Sequence, residues 1–389
     1  MVLTKKKLIY YGIILVITIS LQRRWKTAEI PDHLLGHTAR FHPEFISVEL
    51  QKRLLKLIKE TKVFPWDSDK SDIFFSRTYT DIGEDIPIGS DGTCSNPYLI
   101  PNQDKSKCIL EPWFAYTRHF LLYGGLDGLK ENFTFHFIIQ VPGQTAPVHI
   151  DNPYFEDATM FQYPPWLLEV MAGSGLYQDT FIDQVQGVGY LHEWNKPKYG
   201  GQFAYFDKNT IVPTYEKPTP RSVMLIDGSK TIHASTIYKP KFRPPIMAKD
   251  AKNELVFSPT KEGDETWELR SNDKILRKYH TDDLRINAIY RARCFESEEK
   301  RKEFNKWYKT PGNGRPIEEI LNELKEELVN KRDYDRKTLD SMPRFDLALV
   351  LVDEFVKYPW PTRSLFPYNY CALPDLYPWT EKYLKWICF

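Results

Sequence analysis

Residues 147–152 read Pro147-Val148-His149-Ile150-Asp151-Asn152. In a strand or at its end, side chains at i and i+2 leave the backbone on one face. An imidazole nitrogen of His149 and a carboxylate oxygen of Asp151 can then reach one metal ion together. A His-x-Asp pair alone is weak, because nine histidines and many aspartates make chance pairs common. The surroundings strengthen it. Phe135 to Val141 forms an apolar strand pattern just upstream, with a turn at Gly143. Downstream, Val223-Met224-Leu225-Ile226 reads as a strand, Asp227-Gly228 as a turn, and His233 follows.

Two neutral imidazoles and one carboxylate form the facial triad of non-haem Fe(II) oxygenases, which leaves coordination positions open for co-substrate and oxygen. Further outward, Ile73 to Tyr79, Gln186 to His192, Gln202 to Phe206, Ser222 to Ile226 and Arg285 to Phe295 read as short strands between turns. Apolar spacing predicts helices over 43–62, 113–123, 316–331 and 345–358. The expected fold is therefore α+β, with a mainly β sandwich or barrel and flanking helices.

The ordered motifs carry a family resemblance. From Phe135 to Phe295 the chain resembles the double-stranded β-helix, or jelly-roll, core of Fe(II)/2-oxoglutarate-dependent dioxygenases, particularly their prolyl 4-hydroxylase-like branch. His149-Ile150-Asp151 looks like that family's HxD. Gly189-Tyr190-Leu191-His192-Glu193-Trp194 with Tyr199-Gly200-Gly201-Gln202-Phe203 looks like its YLN…GGxL segment. Thr231-Ile232-His233-Ala234-Ser235 looks like the distal histidine, and Arg285-Ile286-Asn287-Ala288-Ile289-Tyr290-Arg291 like the closing strand.

The resemblance implies Fe(II) held by His149, Asp151 and His233, with 2-oxoglutarate and molecular oxygen as co-substrates. Arg285 would bind the distal carboxylate of 2-oxoglutarate, helped by the Tyr190 hydroxyl. Conversion of 2-oxoglutarate to succinate and carbon dioxide would accompany hydroxylation of a C–H bond, with no side chain needed as a general base. The substrate the resemblance implies would be a protein side chain, prolyl-like, or a small molecule. Two departures stand out. Arg285 follows His233 at a distance that makes residues 239–281 an insertion, expected as a β-hairpin around Val256 and Trp267. Arg243 has the family's usual spacing but sits in Lys241-Phe242-Arg243-Pro244-Pro245, a poor strand. The other departure is His192, where the family often has Asn; it reads as a surface residue or a neighbour of the site, not a fourth ligand.

Organisation along the chain follows. Residues 1–26 form an N-terminal membrane anchor or signal segment, 27–132 a helical and irregular support, 133–295 the β-helix domain, and 296–389 a helical, aromatic-rich extension. Lys5, Lys6 and Lys7 precede an apolar run from Leu8 to Leu21, closed by Gln22, Arg23 and Arg24. No small-x-small cleavage site follows, so an uncleaved anchor is expected, with the bulk of the chain in the endoplasmic reticulum or Golgi lumen. Segment 152–182 reads as an irregular loop over the substrate, and His33, His37 and His42 as solvated. Cys94 and Cys108 bracket a turn-rich loop that suits either a local disulfide or two ordinary thiols.

The charge balance is 53 basic against 52 acidic side chains, which predicts no nucleic-acid partner. Two other classes compete with the enzyme. A catalytically inactive β-helix would bind a partner without turnover. A membrane-anchored luminal transferase would want a DxD-like motif and a nucleotide-binding α/β pattern, and the sequence has neither.

Overall fold

The computed structural model describes residues 30–35, 39–65, 75–79, 109–112, 135–208, 212–245, 247, 251–295, 297–308, 310, 312–356, 358, 374 and 377–388. The N-terminal segment 1–26, the helix expected over 113–123, and both Cys94 and Cys108 lie outside these residues. In chain order the elements begin with β1 (Arg40–His42), α1 (Val48–Thr61), β2 (Val63–Pro65), β3 (Phe75–Tyr79) and β4 (Ile109–Pro112). Next come β5 (Phe135–Gln140), β6 (Ala146–His149), α2 (Pro165–Ser174), β7 (Gln184–Tyr190), β8 (Phe203–Tyr205), β9 (Thr214–Glu216), β10 (Val223–Ile226) and β11 (His233–Ser235). Then follow β12 (Asn253–Phe257), β13 (Thr266–Ser271), β14 (Lys274–His280) and β15 (Arg285–Phe295). The helices α3 (Glu298–Trp307), α4 (Ile317–Arg332), α5 (Arg336–Ser341), α6 (Arg344–Phe355) and α7 (Glu381–Cys388) close the chain.

The strand order is that of a double-stranded β-helix. One sheet runs β1-β10-β7-β15-β5-β3, with β4 also paired to β15, and the facing sheet runs β6-β11-β8-β9. From β5 onward the chain passes repeatedly between these two sheets, and every ladder is antiparallel. Eight core strands in two layers make a jelly roll. The expected insertion is present as a third sheet, β14-β13-β12-β2, standing between β11 and β15 in sequence.

The period of two along β15 sorts its residues between two cores. Ile286 and Ala288 enter a cluster with Leu50, Leu54 and Ile58 of α1 and with Leu255, Trp267 and Leu269 of the third sheet. Ile289 points the other way, to Val188, Tyr190, Met224 and Ile226 between the two main sheets. Helix α1 starts at Ser47, whose hydroxyl accepts the Leu50 amide at 3.1 Å. Its apolar stripe pins it to the sheet, and burying Leu54 and Ile58 contributes about 2 kcal/mol each.

A further cluster decides how the C-terminal extension is used. Ile150 and Ile232, neighbours of the candidate ligands, pack with Leu167, Leu168 and Met171 of α2, Leu321 and Leu324 of α4, and Leu351 and Phe355 of α6. The segment 152–182 is thus not a loop laid over a substrate, since its middle is the buried helix α2. Its Pro and Gly residues are the helix ends: Pro165 occupies the first turn, and Gly175 closes the helix at φ 73°. Residues 40–42, within the segment expected as helical and irregular, form an edge strand on β10. His33, expected as solvated, is half-buried with its Nε2 2.8 Å from the Ala172 carbonyl, and His37 lies outside the described residues. His42 is partly buried, and desolvation lowers its pKa.

Candidate metal centre

Strands β6 and β11 build the site. His149, the last residue of β6, is the direct cross-strand partner of His233, the first residue of β11. Asp151 stands just past the strand end, and its amide donates to the Gly228 carbonyl at 2.8 Å. One ligand atom from each of His149, Asp151 and His233 lies within 4.8 Å of the other two. The structure therefore brings together the three residues singled out by spacing.

Hydrogen bonds fix the imidazole tautomers. His149 Nδ1 lies 2.6 Å from the Pro147 carbonyl, and His233 Nδ1 lies 2.8 Å from the Thr231 carbonyl. A carbonyl only accepts, so each Nδ1 carries the proton and each Nε2 presents its lone pair. Burial, with His149 next in weight, lowers the His233 pKa to about 4, so this ring is neutral near pH 7. Phe203 stacks on it at a centroid distance of 5.4 Å, covering one face. Two bare imidazole nitrogens and a carboxylate oxygen fit an octahedral transition metal with open positions better than they fit Mg²⁺ or Ca²⁺.

The space between the two main sheets also holds a buried cation. Arg285, the first residue of β15, is 3% exposed. Its Nη1 donates to Gln140 Oε1, and its guanidinium carbon lies 5.3 Å from the centre of the Tyr190 ring. Its Nε is buried without a hydrogen-bond partner, and no carboxylate among the described residues pairs with it. A buried charge left in this condition costs several kcal/mol by desolvation, so the position favours an incoming anion. Gly201, at φ +66°, makes room for it: a Cβ there would meet Arg285 Cδ at 2.9 Å.

Tyr190 is fully buried beside Arg285, and desolvation raises the pKa of its phenol. Arg243 does not enter this space; its Nη2 pairs with Glu381 Oε1 at 3.3 Å near the surface. His192 is no surface residue. It is buried, with Nε2 2.8 Å from the Pro218 carbonyl, stacks on Trp194 at 3.8 Å, and is held neutral by a pKa lowered to about 3 through burial.

One residue escaped the sequence reading. Arg291 donates from Nη2 to Asp151 Oδ1 at 2.5 Å and from Nε to Gln186 Oε1. It stands on the same face of β15 as Arg285, so the period of two carried the signal.

No protein-family model matches the chain, and no curated protein matches it. Solved structures do. A prolyl-4-hydroxylase from Pseudomonas putida is 14% identical, over 68% of this chain and 96% of that one, with a TM-score of 0.32. A Trichoplax adhaerens prolyl hydroxylase, in complex with a hypoxia inducible factor peptide fragment, is 12% identical over 75% and 96%, with a TM-score of 0.33. HygX from Streptomyces hygroscopicus, with nickel, 2-oxoglutarate and hygromycin B bound, is 10% identical over 66% and 83%, with a TM-score of 0.31. All three scores fall below 0.5, so the fold assignment rests on the strand order and register above. By that order the chain has a double-stranded β-helix, the fold of the Fe(II)/2-oxoglutarate-dependent dioxygenases, with a His-Asp-His triad on its β6 and β11 strands.

Proposed function

We propose that the chain is an Fe(II)- and 2-oxoglutarate-dependent dioxygenase that hydroxylates a C–H bond of a prolyl-like protein side chain or of a small molecule. One observation carries this reading: the His-Asp-His cluster and the buried Arg285, with which no carboxylate among the described residues pairs, stand against the same aromatic cluster, His233 on Phe203 and Arg285 over Tyr190. A metal site alone would suit many chemistries. A buried guanidinium against the same aromatic cluster, with no carboxylate among the described residues paired to it, calls for a ligand with a remote carboxylate, and 2-oxoglutarate has one.

Bound iron and 2-oxoglutarate would supply the oxygen activation, by which substrate, O2 and 2-oxoglutarate give hydroxylated substrate, succinate and CO2. The protein's own part is positioning. His149 and His233 would hold the metal through Nε2, and Asp151 through Oδ2. Arg285 receives the distal carboxylate with its planar fork, and Gln140 fixes the guanidinium from behind. Tyr190 and Phe203 belong to one buried apolar cluster beside it, which excludes water from the guanidinium.

Calorimetric titration of 2-oxoglutarate into the full chain loaded with Mn(II) tests the reading. Saturable one-to-one binding that requires the metal is expected, and failure of the chain to take up either metal or 2-oxoglutarate overturns it. The reading includes residues 1–26 as a membrane anchor, with the bulk of the chain luminal. Lys5 to Lys7 before the apolar run support that orientation. Protease protection in intact microsomes checks this, and digestion of the bulk of the chain would contradict it.

A further inference from the structure

The two carboxylate oxygens of Asp151 have different neighbours. Oδ2 lies 3.9 Å from His233 Nε2, and a Cβ at Gly228 would come within 2.2 Å of it. Oδ2 therefore faces the triad across a backbone that has no side chain to obstruct it. Oδ1 receives Arg291 Nη2 at 2.5 Å. The same guanidinium is tied through Nε to Gln186 on β7, so it is fixed at two points before any ligand arrives.

The two arginines of β15 are thus in opposite states. Arg285 is buried with no acid paired to it among the described residues, whereas Arg291 is already committed to one. They stand six positions apart along the strand, on the order of 20 Å of backbone. Of the two, Arg291 is the one bonded to the Asp151 carboxylate.

We propose that Arg291 is a positioning residue for the metal. It holds Oδ1 of Asp151 so that Oδ2 alone is presented, and it offsets the negative charge of that carboxylate. The inference rests on the metal-site reading above. With Oδ1 occupied, Asp151 is a one-oxygen ligand, which leaves more of the metal's coordination sphere for the co-substrate. A charge-neutral Asp151–Arg291 pair also makes the centre less repulsive toward a dianionic acid. Carboxylate ligands are oriented by such outer hydrogen bonds, and removing one typically costs 10–100-fold in metal affinity.

The test uses the full chain and cobalt(II), whose visible absorption reports both affinity and coordination number. Arg291→Met is expected to weaken Co(II) binding about 10–100-fold and to change the absorption intensity as Oδ1 becomes available to the metal. Arg291→Lys keeps the charge but loses the two-point fork, so it is expected to recover part of the affinity. Should Arg291→Met fail to fold, Arg291→Lys carries the test, with Co(II) binding weaker than wild type by several-fold. Co(II) affinity and spectrum unchanged in the variant overturn the inference, as does a loss confined to 2-oxoglutarate affinity. If the wild-type chain takes up no Co(II), the metal-site reading itself falls and this inference with it.

Discussion

His233 faces His149 directly across the β6–β11 ladder, and their ring centroids stand 4.4 Å apart. That proximity follows from register. Opposed residues in an antiparallel pair share a face and bring their Cβ atoms to about 5 Å. A slip of one residue would send His233 to the outer face, where Ile232 and Ala234 now point. The histidine pair is therefore a property of the ladder, and Asp151 joins it from just past the strand end.

Gly228 is required by the carboxylate beside it. A methyl at this position would stand 2.2 Å from Asp151 Oδ2 and displace it. Gly228→Ala is expected to lose at least about tenfold in Co(II) affinity while the far-ultraviolet circular dichroism stays that of the wild type. Undiminished metal binding would contradict this.

Gly201 plays the equivalent part for Arg285. At φ +66° a side chain is strained, and its Cβ would press on Arg285 Cδ at 2.9 Å. Gly201→Ala and Arg285→Gln are both expected to weaken 2-oxoglutarate binding, the latter by about 2–5 kcal/mol, as for truncation of a buried charge pair. Metal affinity should hold in both, which calorimetry on the Mn(II)-loaded chain resolves.

Glu169 on α2 sets a pH dependence of stability. Burial raises its carboxyl to about 7, and the Tyr358 hydroxyl, 3.2 Å away, opposes the shift. The native state keeps a proton that the unfolded chain releases near pH 4.5, so this contribution is full below pH 4.5 and lost as pH rises to about 7. The loss is on the order of 3 kcal/mol. Glu169→Gln is expected to flatten denaturation midpoints between these limits and to stabilise the protein at pH 8. Retention of the wild-type slope would refute the assignment.

The C-terminal helices belong to the core of the site. Ile150 and Ile232 share one cluster with Leu321, Leu324 and Leu351, so a chain ending at 295 would expose the backs of both ligand strands. Such a truncation is expected not to fold. Leu324→Ala, at a fully buried position, is expected to cost about 2–5 kcal/mol in chemical denaturation.

How far the sequence could be read depended on whether a local pattern carried the information. Strand β15 was legible end to end because apolar and polar residues alternate along it. The triad was legible because its spacing and its flanking strands agreed. Strand β14 was not: Ile275 and Leu276 are adjacent and both exposed, which erases the period of two. Helix α2 was hidden by its own caps, since Pro164-Pro165 and Gly173-Ser174-Gly175 look like loop punctuation until the chain between them is seen buried on both sides. Arg291 was passed over because its partner, Asp151, lies far away in sequence and only the fold joins them.

The central claim is tested most directly by oxygen-dependent conversion of 2-oxoglutarate to succinate, measured on a chain beginning near Lys26 and loaded anaerobically with Fe(II). Slow succinate release without added substrate is predicted, abolished by His149→Ala and weakened by Arg285→Ala. No succinate from the iron-loaded protein, or equal release from His149→Ala, would contradict the account.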